Sequence, residues 1–448
     1  MTIFYQPIYW CYRLASGLWH WAGRRFTPAG LGVLLGWIAA GLFGVDITNT
    51  VVYQSFALLL GLLIFSFFSS FFFRARFSAT HFLPRFGTAG QPLHYQVLVK
   101  NLTGRPQAGL TLLEDLADPR PAYAEWLAFK LAEGRRIRPF RVLKQRPHNP
   151  FRVATVKPAA VPPLPAHGEG AVTMELHPWR RGVLRLRGVT VGCADPLGLF
   201  RAFRRVPDPH TVLILPRRYP LPPIALPGQM RYQEGGVALA TNVGRSDEFV
   251  ALRDYRQGDP LRHIHWRSWA KVGKPIVKEF EDEFFVRHAL VLDTFTDEPH
   301  SEVLEAAVSV AASFACTVIE QESLLDLLFI GNQSYCFTAG RGLGTADQML
   351  EILASVRNCA DQPFSTLEHL VLNHLSVVSG CICVLQKWDE ARRALVTKLK
   401  ALQVPVTVLI VVPAGGGISG AGGPLADAEG TLNVLEVGQI EAGLAKLK

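Results

Sequence analysis

Metal-binding and redox motifs are scarce in this chain. Its seven cysteines (Cys11, Cys193, Cys316, Cys336, Cys359, Cys381, Cys383) include no CxxC pair and join no His/Cys cluster with zinc spacing. Several lie in apolar runs, where a thiol behaves as a small buried hydrophobe, so a reducing compartment is expected. No Gly-x-Ser-x-Gly elbow and no Cys/His nucleophile arrangement is present. The glycine-rich run Ala414 to Gly423 lacks the Lys-Ser/Thr ending of a phosphate-cradling loop and reads as a loop. A dense basic patch is also missing: the formal net charge of +9 is spread along 448 residues and interleaved with acids. Nucleic-acid binding is therefore not expected, and anionic lipid headgroups account for the basic balance.

Charge is scarcest near the N-terminus. Between Pro28 and Phe73 the only ionisable acid or base is Asp46. Pro28 to Val45 is just long enough to cross a bilayer and Val51 to Phe73 is longer and more apolar, so a two-pass hairpin is expected. Arg13, Arg24 and Arg25 precede it and Arg74, Arg76 and Arg85 follow it. The positive-inside rule then places both ends in the cytoplasm. Trp10, Trp19 and Trp21 read as an interfacial belt on residues 1–27. No small-residue cleavage site separates the two spans, which argues against a cleaved signal.

From 74 to 215 the hydrophobic period is two. HYQVLVKN, AGLTLLEDLA, FRVATVKP, GAVTMELHP and GVLRLRGVTV predict an all-β, immunoglobulin-like sandwich, with one helix near Ala122 to Ala132. The proline-rich Pro158 to Gly170 reads as a surface loop, and residues 216–246 as a linker. In DPLGLF, Asp195 and Pro196 suit a type I turn and Gly198 a left-handed position, so this piece reads as a well-specified turn.

Residues 247–287 mix Arg253, Arg256, Arg262, Arg267, Lys271 and Lys274 with Asp254, Asp259, Tyr255, Trp266 and Trp269. Alternation from Phe249 to Tyr255 predicts a strand ended by Gly258. Asp259 as N-cap, Pro260 at the first helical position and Gly273 at the C-cap predict a helix to Lys271. Leu261, Ile264, His265, Ser268 and Trp269 would then share one face. On that helix His263 and His265 diverge and cannot share an ion. Asp254, Asp259, Arg253 and Arg262 read as mutual salt bridges rather than an acid/base pair.

Residues 288–448 alternate strands and helices: HALVLDT, a helix over Ser301 to Gln321, LLDLLFI with hairpin partner SYCFTA, helices near Thr345 to Ser355 and Ser365 to Leu375, SGCICVLQ, a helix from Asp389 to Leu402, VPVTVLIVV, TLNVLEV and a last helix. That order predicts a mostly parallel sheet covered on both faces, with ligands outside the carboxyl ends of its strands.

The run EFVALRDYxxGDPxRxIHWxxxAKxGKxxVKEF resembles the signature of bacterial membrane proteins grouped as domain of unknown function family fifty-eight, and the DPLGLF turn fits the same plan. The resemblance covers about residues 28 to 448. It implies a von Willebrand factor A-like (Rossmann-type) α/β domain and, as partner, a MoxR-type AAA+ ATPase. It also implies a cation site of Asp-x-Ser-x-Ser, Thr and Asp. Asp293 matches its first acid and Thr345 its threonine, but Phe295 and Asp297 stand where the serines belong, and Gln386, Lys387 and Trp388 follow the fourth strand. A hard cation such as Mg²⁺ wants several oxygens, so no cofactor is expected.

The expected protein is a membrane-anchored, non-enzymatic adaptor in envelope-related or stress functions. Arg253, Tyr255, Gly258, Asp259, Arg262, Trp266 and Lys271 would form its docking surface or the framework behind it. The alternatives are a membrane-bound enzyme acting on cell-wall or lipid-linked substrates and a cation-dependent ligand binder.

Overall fold

The computed structural model describes residues 5–43, 50–118, 120–136, 151–222, 249–257, 259, 261–280, 286–298, 300–320, 323–340, 344–416 and 432–447. Gly258, Pro260, most of the glycine-rich run and most of the 216–246 linker lie outside the described residues. The chain divides into two compact units. One comprises Met1–Arg217 with Glu298–His300, the other Arg218–Asp297 with Ser301–Lys448.

The first unit begins with three helices: α1 (Tyr5–Arg25), α2 (Pro28–Phe43) and α3 (Thr50–Ser69), the last prolonged by a 3-10 turn at Ser70–Phe72. Apolar residues surround α3 on every side, with almost no amphipathic bias. The segment Val51–Phe72 is long and apolar enough to cross a membrane and is almost wholly uncovered by protein. α2 is apolar but has only 16 residues, about 24 Å at 1.5 Å per residue. Length alone therefore supports one span rather than the expected pair. α2 and α3 do pack on each other, with Trp37 stacked on Phe56 at 5.5 Å.

Two sheets follow. β1 (Phe77–Phe82), β3 (Leu93–Asn101), β7 (Glu169–Pro178) and β5 (Ala154–Val156) form one. β2 (Phe86–Thr88), β9 (Arg201–Leu215), β8 (Gly182–Ala194), β4 (Leu110–Leu116) and β6 (Ala159–Ala160) form the other. Period-two alternation turns Tyr95, Val97, Val99, Val172, Met174 and Leu176 of the first sheet toward Leu110, Leu112, Leu184, Val189, Val191 and Ile214 of the second, as in a sandwich. The proline-rich stretch is not the surface loop that its composition predicts. β6 pairs with β4, and Val161 and Leu164 are buried in the core. One helix, α4 (Tyr123–Arg136), interrupts the strands and receives α1: Tyr9 is buried there, its ring 5.5 Å from Trp126 and its hydroxyl donating to the Pro121 carbonyl. Part of the aromatic set in α1 is thus packing, while Trp10, Trp19 and Trp21 stay exposed.

The second unit starts with the hairpin β10 (Phe249–Asp254) and β11 (Ile276–Phe280), with α5 (Trp266–Val272) between them. Its main sheet uses β12 (Arg287–Leu292), β13 (Leu324–Ile330), β14 (Ser334–Ala339), β15 (Gly380–Leu385), β16 (Val406–Val412) and β17 (Leu432–Glu436), in spatial order β14-β13-β12-β15-β16-β17. All pairs are parallel except β13 with β14. Helices α6 (Glu302–Glu320), α7 (Ala346–Ser355), α8 (Ser365–His374) and α9 (Glu390–Ala401) connect these strands, and α10 (Ile440–Leu444) ends the chain. Every residue of β13 and β15 is buried, so both faces are covered. α8 and α9 close one face over Val291, Ile330, Cys383 and Ile410. Counted within this sheet, the order is 3-2-1-4-5-6, which puts the switch point between β12 and β15.

Candidate functional site

The helix expected from Asp259 to Lys271 is broken. A 3-10 turn covers Leu261–His263, then Ile264 bridges to Val277 and the His265 N–H donates to the Ile276 carbonyl at 2.8 Å. Two residues tied to β11 cannot continue a helical ladder, so α5 starts only at Trp266, and Gly273 closes it at φ 77 as expected. Asp259 caps no α-helix. Its carboxylate takes both Nη1 and Nη2 of Arg253 at 2.7 and 2.8 Å and the Arg256 N–H at 2.8 Å, closing the turn after β10. The bidentate guanidinium, followed by the Arg256 amide, holds the Asp259 carboxyl at about 2. Lys274 pairs with Asp254 across the hairpin at 2.8 Å. Tyr255 donates its N–H to the Pro275 carbonyl, and His265 Nδ1 lies 2.6 Å from the Ser268 hydroxyl.

The side chains on α5 point outward. Trp266 is 64% exposed and stacked on Trp269 at 5.2 Å, and Leu261 is 67% exposed, not on the core face that a longer helix would give it. Leu252 and Val272 are exposed as well, as are Arg256, Arg267, Lys271 and Lys274. Arg253, Tyr255 and Asp259 therefore build the turn, and Trp266 and Lys271 lie on its surface. The Arg262 side chain lies outside the described residues.

The second place of interest is the switch point. Asp293, at the carboxyl end of β12, is fully buried. Arg392, in the first turn of α9, sends Nε and Nη2 to its two oxygens at 3.1 and 3.2 Å, and the amides of Phe295 and Gln386 donate to it at 3.0 and 3.1 Å. Gln386 also donates its side-chain amide to the Asp293 carbonyl at 2.7 Å. Asp389 holds the same guanidinium at 2.6 Å, and Phe364 lies beneath it at 4.3 Å. Burial alone would lower the Arg392 pKa, but Asp293 and Asp389 together raise it.

The residues present do not fit a divalent cation. Both Asp293 oxygens already face a guanidinium, and Phe295 is buried against Phe364. Asp297 is exposed, and the Thr345 hydroxyl accepts the Gln348 N–H in a capping box at the start of α7. Nothing in the spacing announced Arg392. The signal was its position in the first turn after the fourth strand, three residues behind the capping Asp389.

A third junction lies in the first unit, where the DPLGLF turn enters the helical hairpin. Asp195 accepts the N–H groups of Leu199 and Phe200 at 2.7 and 2.8 Å and the Ser66 hydroxyl of α3 at 2.7 Å. Thr27 donates its N–H to the Leu199 carbonyl. Phe200 packs edge-to-face on Phe26 and Phe67. Gly30 of α2 is required here, because a Cβ at that position would lie 1.9 Å from the Leu199 carbonyl oxygen.

These features describe a class: a two-unit α/β protein with an apolar N-terminal helix, a β-sandwich and a doubly wound sheet whose switch point is filled by its own side chains. The family described as Protein of unknown function DUF58 matches residues 251–406, which span the signature hairpin and the sheet through the start of β16. The Bacillus subtilis (strain 168) protein "Uncharacterized protein YeaD" is 28% identical over 189 residues, 41% of this chain. The match covers 45% of that relative's own length. Among solved structures, the CARDB domain of PF1109 from Pyrococcus furiosus overlaps 30% of this chain and 94% of its own at 12% identity and a TM-score of 0.15. The ASH / PapD-like domain of human CEP192 overlaps 31% of this chain and 85% of its own at 10% identity and a TM-score of 0.17.

Proposed function

We propose that this chain is a non-enzymatic adaptor, held in the bacterial inner membrane by α2 and α3 with both soluble units in the cytoplasm. Its signature hairpin docks a MoxR-type AAA+ ATPase in envelope-related or stress functions. The α/β unit is a degenerate von Willebrand factor A-like domain, a reading supported by its 3-2-1-4-5-6 order with one antiparallel strand.

The observation that carries the reading is the outward stack of Trp266 on Trp269, bordered by Leu261, Val272, Arg267 and Lys271. An exposed tryptophan with apolar and basic neighbours has the composition of an interface hot spot. The enzyme alternative needs Asp254, Asp259 and His263 or His265 to converge. Instead Asp254 pairs with Lys274, Asp259 with Arg253, and His265 with Ser268. The cation-dependent alternative meets Arg392 where the ion would sit.

The test is detergent co-purification of the full chain with a co-expressed MoxR-type ATPase. Wild type should retain the ATPase, and Trp266→Ala and Lys271→Ala should lose most of it while keeping the wild-type melting temperature. Absence of the ATPase from the wild-type preparation would sink the adaptor reading.

A further inference from the structure

In the sandwich, five polar side chains meet where the two sheets come together. His81 stands on β1 of one sheet, and Asp208 and His210 on β9 of the other. Asp208 lies between Pro207 and Pro209, neither of which can donate to a β ladder. The pairing of β9 with β8 slips at this level, between Leu186 and Gly188. Gly188 takes φ 134, and a Cβ there would lie 2.3 Å from the Val206 carbonyl oxygen and 2.6 Å from the Asp208 nitrogen. Such a bulge re-aims the side chain that follows it. Asp208 Oδ2 consequently reaches β1, 3.2 Å from the His81 amide and 2.7 Å from His81 Nδ1.

His210, two residues along the strand, completes the group. Its Nε2 is 3.1 Å from Asp208 Oδ1, within reach but off the line of a well-formed hydrogen bond. Without an ion, the 2.7 Å approach of His81 Nδ1 to Asp208 Oδ2 is a hydrogen bond that carries a proton, which an entering cation displaces. One ligand atom from each of His81, Asp208 and His210 lies within 4.8 Å of the others. Behind His81, its Nε2 faces Glu114 Oε1 at 3.3 Å, and the Tyr95 hydroxyl donates to Glu114 Oε2 at 2.7 Å. A carboxylate on the far nitrogen is the usual support of a metal-bound imidazole, fixing its tautomer and orientation. The His81 and Glu114 side chains are fully buried, while Asp208 and His210 are 24% and 38% exposed, which leaves one approach from solvent.

We propose that His81 Nδ1, Asp208 and His210 Nε2 bind a zinc-type divalent ion that ties β1 to β9 across the sandwich, with Glu114 and Tyr95 orienting His81. Two imidazoles and one carboxylate form a borderline nitrogen and oxygen donor set, which suits zinc and not magnesium. Three protein ligands leave a fourth position toward solvent. The site stands apart from the docking reading and survives its failure.

The experiment uses the full chain in detergent, without a histidine tag, stripped with chelator and titrated calorimetrically with ZnCl₂ and with MgCl₂. Wild type should take one equivalent of zinc, melt at a higher temperature with it, and ignore magnesium. His210→Ala, at a half-exposed ring, should keep the metal-free melting temperature, lose the zinc-induced rise and bind at least about tenfold more weakly, and Glu114→Gln should weaken binding about 10–100-fold. No zinc uptake by wild type, or uptake that His210→Ala leaves unchanged, overturns the proposal.

Discussion

A guanidinium at the switch point does two things at once. It neutralises Asp293, which sits at 0% exposure, and it fills the crevice in which doubly wound sheets bind their ligands. Removing one partner of a buried pair leaves a charge with no water to solvate it. Arg392→Met should therefore destabilise the α/β unit by about 3–5 kcal/mol, read in urea unfolding of the detergent-solubilised chain. Asp293→Asn in the same background should recover part of the loss, because the buried charge is then gone.

A second buried acid, Asp326, is held by Arg287 at 2.6 Å, by Thr338 at 2.6 Å and by His374 at 2.8 Å. Cys336 approaches the same His374 nitrogen at 4.0 Å, so the three do not form a relay in which the acid and the thiol use opposite ring nitrogens. Asp326, helped by Cys336 and opposed by burial, carries His374 up to about 9. A pKa raised in the folded state stabilises fully below the free value of about 6.5, and that stabilisation fades as pH rises through 9. The melting temperature should fall between pH 7 and pH 10, and His374→Gln should flatten the fall. Equal slopes for the two proteins would rule out His374 as the group responsible.

At the level of elements, the DPLGLF turn is more than a reversal between β8 and β9. Its carboxylate accepts hydrogen bonds from the turn's own amides and from Ser66 on α3, so one residue holds the turn in shape and fastens it to the apolar helix. Asp195→Ala leaves those donors without an acceptor and should cost about 1–3 kcal/mol, with faster hydrogen exchange at Leu199 and Phe200. Gly30→Val should be worse, since backbone lies where its Cβ would go.

The turn's type was legible from Asp195, Pro196 and Gly198, because local chemistry sets it. Its docking on α3 was not, because Ser66 lies 129 residues away. The signature helix failed for a related reason. Asp259 and Pro260 are good start signals, but pairing of Ile264 and His265 with β11 is a tertiary interaction that overrides them. Proline content likewise misrepresented Pro158 to Gly170, where the apolar Val161 and Leu164 decided the outcome by burial.

For the whole molecule, the sandwich and the doubly wound sheet each carry their own core. The proposed two-pass arrangement with both ends in the cytoplasm can be tested directly. Cys11 precedes the hairpin and Cys336 follows it, and both are exposed. Single-cysteine versions retaining either one should react with a membrane-impermeant maleimide in inverted vesicles and not in right-side-out ones. Labelling of the two on opposite sides would mean a single crossing by α3.

Local rules sufficed for the features that each stretch of chain settles alone. Period-two runs made the sandwich, strand and helix alternation made the parallel sheet, two uncharged stretches either side of Asp46 made the apolar helices, and Gly273 and Gly198 took the left-handed positions. Which polar groups meet follows from folding that brings distant strands and helices together. Arg392 reaches Asp293 across 99 residues and Asp208 reaches His81 across 127. Periodicity reports which face a residue takes, whereas pairing of buried charges depends on the order in which strands are laid side by side, which no local pattern encodes.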